Sequence, residues 1–136
     1  MLPVRHARRW QVASLIILLL VLAVALMPAV WFWDDRLTAL RWFASVDKWL
    51  HGATFLGLSL WFTGLYRKRS YWKIGLGLLL FGLGIEACQR MVSYRTADWL
   101  DVGADAAGII AGLMIGVAGV GGWCLRAEER LAKHQH

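Results

Sequence analysis

With 136 residues, 59% of them apolar and 18% charged, the chain has length for one domain and is too hydrophobic for disorder. Two cysteines are too few for a disulfide scaffold, and a net charge of +6 points to nucleic acid only if the basic residues form a stripe. Nine tryptophans in so short a chain fit a bilayer interface, where amphipathic rings anchor a membrane protein.

From Gln11 to Trp33 only Gln11 and Ser14 are polar, and the charges stop at Arg9. That run exceeds the roughly 20 apolar residues needed to cross a hydrocarbon core. A basic start (Arg5, Arg8, Arg9) and Ala23-Val24-Ala25 also fit a signal peptide, but a signal core is shorter, so a retained first helix is expected. Gln11 and Ser14 are expected to be solvated at the interface. Leu50 to Tyr66 reads as the second helix, Tyr71 to about Met91 as the third and Val102 to Leu125 as the fourth. The predicted fold is an all-α integral membrane protein, a single domain of four transmembrane helices in an antiparallel bundle.

Charge sets the orientation. The N-terminus, the Arg67-Lys68-Arg69…Lys73 connection and the C-terminal tail hold ten of the fifteen Lys and Arg and, with Glu128 and Glu129, net +8. Arg36, Arg41, Lys48, Arg90 and Arg95 face seven acids on the other side, for a net −2. The positive-inside rule therefore predicts both termini in the cytoplasm and the acidic ends outside. No basic stripe with interleaved aromatics extends from Arg67–Arg69, so no nucleic-acid partner is expected. Trp10, Trp72 and Trp123 then fall at the inner interface and Trp31, Trp33, Trp49 and Trp99 at the outer one. Cys88 and Cys124 lie at opposite ends of their helices, too far apart for a disulfide.

Lipid gives helices no hydrophobic reason to associate, so close backbone packing must supply it. Gly108, Gly112 and Gly116 recur every four residues on the fourth helix; Gly75 and Gly82, Gly77 and Gly84, and Gly57 and Gly64 recur every seven. An intramolecular seam is the expected use of these faces, with a homo-oligomer through the same glycines as the alternative.

Ionisable groups enter the membrane at three helix ends. Asp47 and His51 share a helical face beside Lys48; Glu86, Gln89 and Arg90 follow at similar spacing; Asp98, Asp101 and Asp105 run into the fourth helix after Arg95. Glu86 is fourteen residues beyond Trp72, about 21 Å along a helix, and so inside the hydrocarbon zone. A carboxyl group at that depth must be paired, protonated or open to a water-filled pocket. Individually, Asp47 reads as a cap of the second helix and Asp98 or Asp101 as a cap of the fourth; Lys48 and Arg90 read as snorkelling. Arg36, Arg41, Asp34 and Asp35 read as solvated loop charges. Capping does not account for Glu86 or Asp105, and the convergence points to a functional pocket.

At these residues the sequence resembles the VanZ-like family of small bacterial membrane proteins. Asp47-Lys48-Trp49-Leu50-His51…Phe55 is similar to its D-K-x-x-H-x-x-x-F opening, and Glu86…Gln89 to its E-x-x-Q with Arg95 as the following arginine. Asp101…Asp105…Gly108…Gly112 is similar to its closing D-x-x-x-N/D-x-x-G-x-x-x-G. The family is named for a teicoplanin-resistance protein, so the resemblance implies an envelope role at the outer face of the membrane, with glycopeptide tolerance attached to some members.

The expected function is an outward-facing polar pocket that binds an amphiphilic envelope molecule, a lipid headgroup or lipid-linked glycan. Asp47, Lys48, His51, Glu86, Gln89, Arg95, Asp101 and Asp105 are the candidate binding residues, with Lys48 and Arg95 on phosphate. The alternative is a hydrolase or transferase on the same substrates, with His51 as general base oriented by Asp47 and Glu86 as acid. A structural or accessory subunit, its charges holding the bundle together, is the third reading. No cofactor is expected, although several carboxylates also suit a divalent cation, Mg²⁺ or Ca²⁺, and the His-rich spacing of a zinc site is lacking.

Overall fold

The computed structural model describes residues 1–27, 36–92 and 98–133, with side chains in 36–45 left out. Five α-helices account for most of them: α1 (Ala7–Ala25), α2 (Arg36–Leu65), α3 (Tyr71–Met91), α4 (Trp99–Ile115) and α5 (Trp123–Lys133). A short 3-10 turn, Lys68–Ser70, leads into α3, and a wide π-type turn, Gly116–Val120, follows α4. Among the described residues there is no strand.

Three helical stretches are long and apolar enough to cross a membrane: Ala7–Ala25, Lys68–Met91 and Trp99–Val120. Each shows why, because its outward side chains recur at helical spacing and are hydrophobic. Val12, Leu15, Ile16, Leu19, Leu20 and Val24 are exposed on α1, Leu76, Leu80 and Leu83 on α3, and Ile110, Met114 and Val117 on this last stretch. Such stripes require a lipid or protein partner rather than water. α2 is not among the three, because His51, Ser59 and Thr63 dilute its apolar content. Those polar residues are buried inside the protein.

The core is built from Phe55 and Leu58 of α2, Leu78 and Ile85 of α3 and Ile109 of α4, with Ile17, Leu18, Val21 and Leu22 of α1 packed against it. α2 and α4 make the most extensive contact, and glycine permits it. A methyl group on Gly108 would run into the Gly52 carbonyl oxygen, and one on Gly112 would sit 2.9 Å from the Leu56 carbonyl oxygen. One on Gly116 would lie 2.8 Å from the Thr63 Cβ. The four-residue glycine row is thus an intramolecular seam. Gly75 and Gly82 face α4 as well, at Leu113 and Asp105, while Gly57, Gly77 and Gly84 have nothing within 4 Å.

Several boundaries differ from the sequence reading. α2 starts at Arg36, so Arg36 and Arg41 belong to a helix rather than a loop, their side chains outside the described residues. Asp47 therefore sits inside α2 and does not cap it. Thirty residues of helix span about 45 Å, longer than a hydrocarbon core is thick. The fourth predicted helix does not run unbroken to Leu125. It bends where Gly119 (φ 135°) and Gly122 (φ 76°) adopt backbone angles that L side chains rarely take. The Arg126 guanidinium binds the carbonyls freed there, at 2.8 Å from Val120 and 3.0 Å from Gly121. Asp34, Asp35, Trp31 and Trp33 lie outside the described residues.

At the end where α5 begins, Ser14 is buried rather than solvated: the Trp61 indole donates to its hydroxyl at 2.9 Å. Trp10, Trp61 and Trp123 form a triangle with ring centroids 5.6–5.8 Å apart. Two of the tryptophans assigned to the inner interface are thus packing partners, which is why their indole N–H groups reach Glu128 and the Leu60 carbonyl. Trp72, Trp49 and Trp99 are exposed.

Candidate functional site

At the opposite end of the helices α2, α3 and α4 deliver their acids to one place. His51 projects from α2 toward α4 at the level of the Gly52–Gly108 contact, where the two backbones are closest. Across that contact lies Asp105, fully buried, and His51 Nδ1 and Asp105 Oδ1 share a 2.8 Å hydrogen bond. The other ring nitrogen, Nε2, faces Asp47 Oδ1 at 4.0 Å. The acid that orients His51 is therefore Asp105, not the Asp47 expected from i, i+4 spacing. The helix seam brings Asp105 into hydrogen-bond distance, whereas the intrahelical pair stays too long for a bond.

Asp101, one turn before Asp105, is 2% exposed, and its Oδ1 has no hydrogen-bond partner. Lys48 Nζ approaches that atom at 3.9 Å but makes its closer contact, 3.1 Å, with Asp98 Oδ2. Asp98 also caps α4, its Oδ1 accepting from the Leu100 amide at 3.0 Å. The Leu100 amide and then Lys48 hold the Asp98 carboxyl below its ordinary value, and the bond to Asp98 raises Lys48 above its own. Asp98, read from the sequence as a cap, thus also engages the lysine of the cluster.

Glu86 of α3 is 3% exposed, and neither carboxylate oxygen has a hydrogen-bond partner. It lies within electrostatic range of Asp101, His51 and Asp105. Gly82, one turn earlier, makes room for the group: a methyl there would sit 2.6 Å from Asp105 Oδ2 and 3.2 Å from Phe55 Cζ. Gln89 points elsewhere, its amide donating to the Ala25 carbonyl at 2.9 Å and so closing the C-terminus of α1. Arg90 stacks on Trp99, 4.9 Å from the ring centroid. Arg95 lies outside the described residues.

Beside the cluster a cavity of about 270 Å³ opens between α1, α2 and α3. Leu20, Val24, Leu50, Phe55 and Ile85 give it apolar walls, and Asp47 and His51 stand at the same cavity. Asp47, His51 and Asp101 each present a potential ligand atom, all within 4.8 Å of one another. His51, Glu86, Asp101 and Asp105 are thus buried together next to an apolar slot, with Asp47 half-buried and Lys48 and Asp98 exposed at its rim.

The VanZ/LLP1 family profile matches residues 4–119, which include every helix that contributes to this cluster. The chain belongs to the VanZ/LLP1 family. No curated protein and no solved structure matches it. Membership in VanZ/LLP1, together with three apolar helices of membrane-crossing length, indicates a membrane protein of the cell envelope. The VanZ-like motif residues that the sequence singled out, Asp47, His51, Glu86, Asp101 and Asp105, lie together at one end of the fold, beside the Gly52–Gly108 contact.

Proposed function

We propose that this chain is a four-span inner-membrane protein with both termini in the cytoplasm, and that its outer-end cluster binds an amphiphilic envelope molecule. The carrying observation is the cavity in which Asp47 and His51 adjoin the apolar side chains of α1 and α3. An acyl or polyprenyl chain suits the slot, and the headgroup meets the carboxylates and imidazole. α2 serves as the second span because Ser59 and Thr63, fully buried, are hidden from lipid. The distribution of Lys and Arg supports the orientation, with Arg67, Lys68, Arg69 and Lys73 at the end opposite the cluster.

The test uses the full chain purified in detergent and a spin-labelled phosphatidylglycerol or a polyprenyl phosphate. Saturable binding is expected, and Val24→Trp, which fills the slot, is expected to reduce it without altering helicity. Binding no greater than that of protein-free micelles for both probes overturns the reading. Reporter fusions at either terminus active in the periplasm would overturn the orientation.

The buried His51–Asp105 pair favours one further reading, a hydrolase or transferase on the same molecules with His51 as base. Headgroup release by purified protein, lost in His51→Gln, separates it from binding alone. A role in glycopeptide tolerance follows from either reading only if teicoplanin susceptibility changes with expression of this chain.

A further inference from the structure

At the end of the molecule opposite the acidic cluster, a groove of about 650 Å³ opens between α1, the end of α2 and the start of α3. Leu18, Phe62, Ile74 and Phe81 give it apolar walls, and all four also pack on the core, so the fold fixes its shape. Gly77 lies on the same lining, and a methyl added there would meet nothing within 4 Å. The α2–α4 seam, which accounts for Gly108, Gly112 and Gly116, makes no use of it. Tyr66, Ser70 and Lys73 also line the groove, and all three belong to the α2–α3 junction, so its polar groups gather at one mouth. Eight residues of α3 separate Lys73 from Phe81, a rise of about 12 Å, against about 15 Å for half a hydrocarbon core. The groove therefore has nearly the depth of one lipid leaflet, with a cation at its mouth.

We propose that this groove binds one anionic phospholipid, its phosphate at Lys73 and Ser70 and an acyl chain laid across Gly77 toward Phe81. Charge complementarity selects the headgroup. Arg67, Lys68, Arg69 and Lys73 follow one another at this junction, and the sequence has no acid between Asp47 and Glu86. The Lys68 ammonium is bound to the Val117 carbonyl at 2.8 Å, whereas Lys73 is exposed at the groove, 5.5 Å from the Trp72 ring centroid. Ser70 stands at the N-cap position of α3 without a capping bond from its side chain, so its hydroxyl is not committed to the helix. Glu128, the acid described at this end, is bound to the amides of Arg5 and His6 and to the Trp10 indole. A basic junction of this kind favours a net-negative headgroup over a zwitterionic one, which brings its own cation. Placing the site in the cytoplasmic leaflet rests on the proposed orientation. The binding itself does not, and it is separate from the slot beside His51, which Val24 lines.

The experiment uses the full chain in detergent with phosphatidylglycerol carrying a photoactivatable group in its acyl chain, and the crosslinks are mapped by mass spectrometry. Saturable labelling of Phe62–Tyr66 and Ile74–Phe81 is expected, with unlabelled phosphatidylglycerol competing at least about 10-fold better than phosphatidylcholine. Lys73→Gln is expected to lower that preference about 5-fold and Lys73→Arg to keep it. Gly77→Trp, which fills the groove, is expected to abolish labelling there at unchanged helicity, and Val24→Trp to leave it unchanged. Equal competition by the two lipids overturns the proposal. So does a preference that survives Lys73→Gln in protein of unchanged thermal midpoint, or a lipid-free dimer that Gly77→Trp dissociates, since a second copy would then cover the groove. Labelling confined to the slot lined by Val24 overturns this site and leaves the outer reading standing; labelling confined to this groove does the reverse.

Discussion

Gly82 carries no functional atom, yet it leaves the space in which Asp105 holds His51. A methyl at this position meets Asp105 Oδ2 at 2.6 Å and Phe55 at 3.2 Å, and both side chains are buried. Gly82→Ala is therefore expected to cost about 1–3 kcal/mol of stability through overpacking, and to displace Asp105 from His51. Thermal unfolding in detergent reads the first effect, and histidine NMR titration the second. An unchanged His51 resonance would show that Asp105 accommodates the methyl. Cys124 is a contrasting residue: fully buried, with burial pushing its thiol up to about 12, it is packing material rather than a nucleophile.

α2 and α4 form the scaffold on which the site depends. Their approach at Gly108 and Gly112 is too close for any larger residue, and at Gly108 the atoms in the way are backbone. Gly108→Ala must push the helices apart, so its expected destabilisation is about 1–3 kcal/mol or more, with loss of the His51–Asp105 bond. Gly77→Ala is the control, since nothing lies within 4 Å of its added carbon, and its effect is expected to stay within about 0.5 kcal/mol. Equal shifts in thermal midpoint for the two variants would mean that the seam is not tight. The periodicity of glycine in the sequence located this face. It did not distinguish Gly82, which meets Asp105, from Gly84, which meets nothing, because that depends on how the helix is rotated in the bundle.

At the level of the whole molecule, Glu128 of α5 ties the two ends of the chain together. Its carboxylate accepts from the Trp10 indole at 2.8 Å and from the amides of Arg5 and His6 at 2.6 and 3.2 Å. Burial opposes its ionised form, but these bonds outweigh that penalty and hold the carboxyl below its ordinary 4.5. A depressed folded-state value stabilises the fold above the unfolded-state value and loses that contribution as pH falls through the folded one. Stability is expected to decline on acidification below about pH 4.5, and Glu128→Gln to flatten that decline while costing about 1–3 kcal/mol at neutral pH. Parallel unfolding curves against pH for the two proteins would remove Glu128 from this role.

The amino-acid sequence alone determined the membrane class, the motif residues and the glycine faces, because hydrophobicity and helical periodicity are written residue by residue. It predicted that acids from three helices converge, with Glu86 expected in the hydrocarbon zone. Tertiary structure decided which of them meet. It made Asp105 rather than Asp47 the partner of His51, turned Gln89 toward α1 and drew Asp98 to Lys48. It also gathered Trp10, Trp61 and Trp123 around Ser14 and bent the last helix at Gly119. The reason is geometric: spacing along one helix specifies a face, but contact across helices depends on crossing point and rotation, which close packing of distant residues sets.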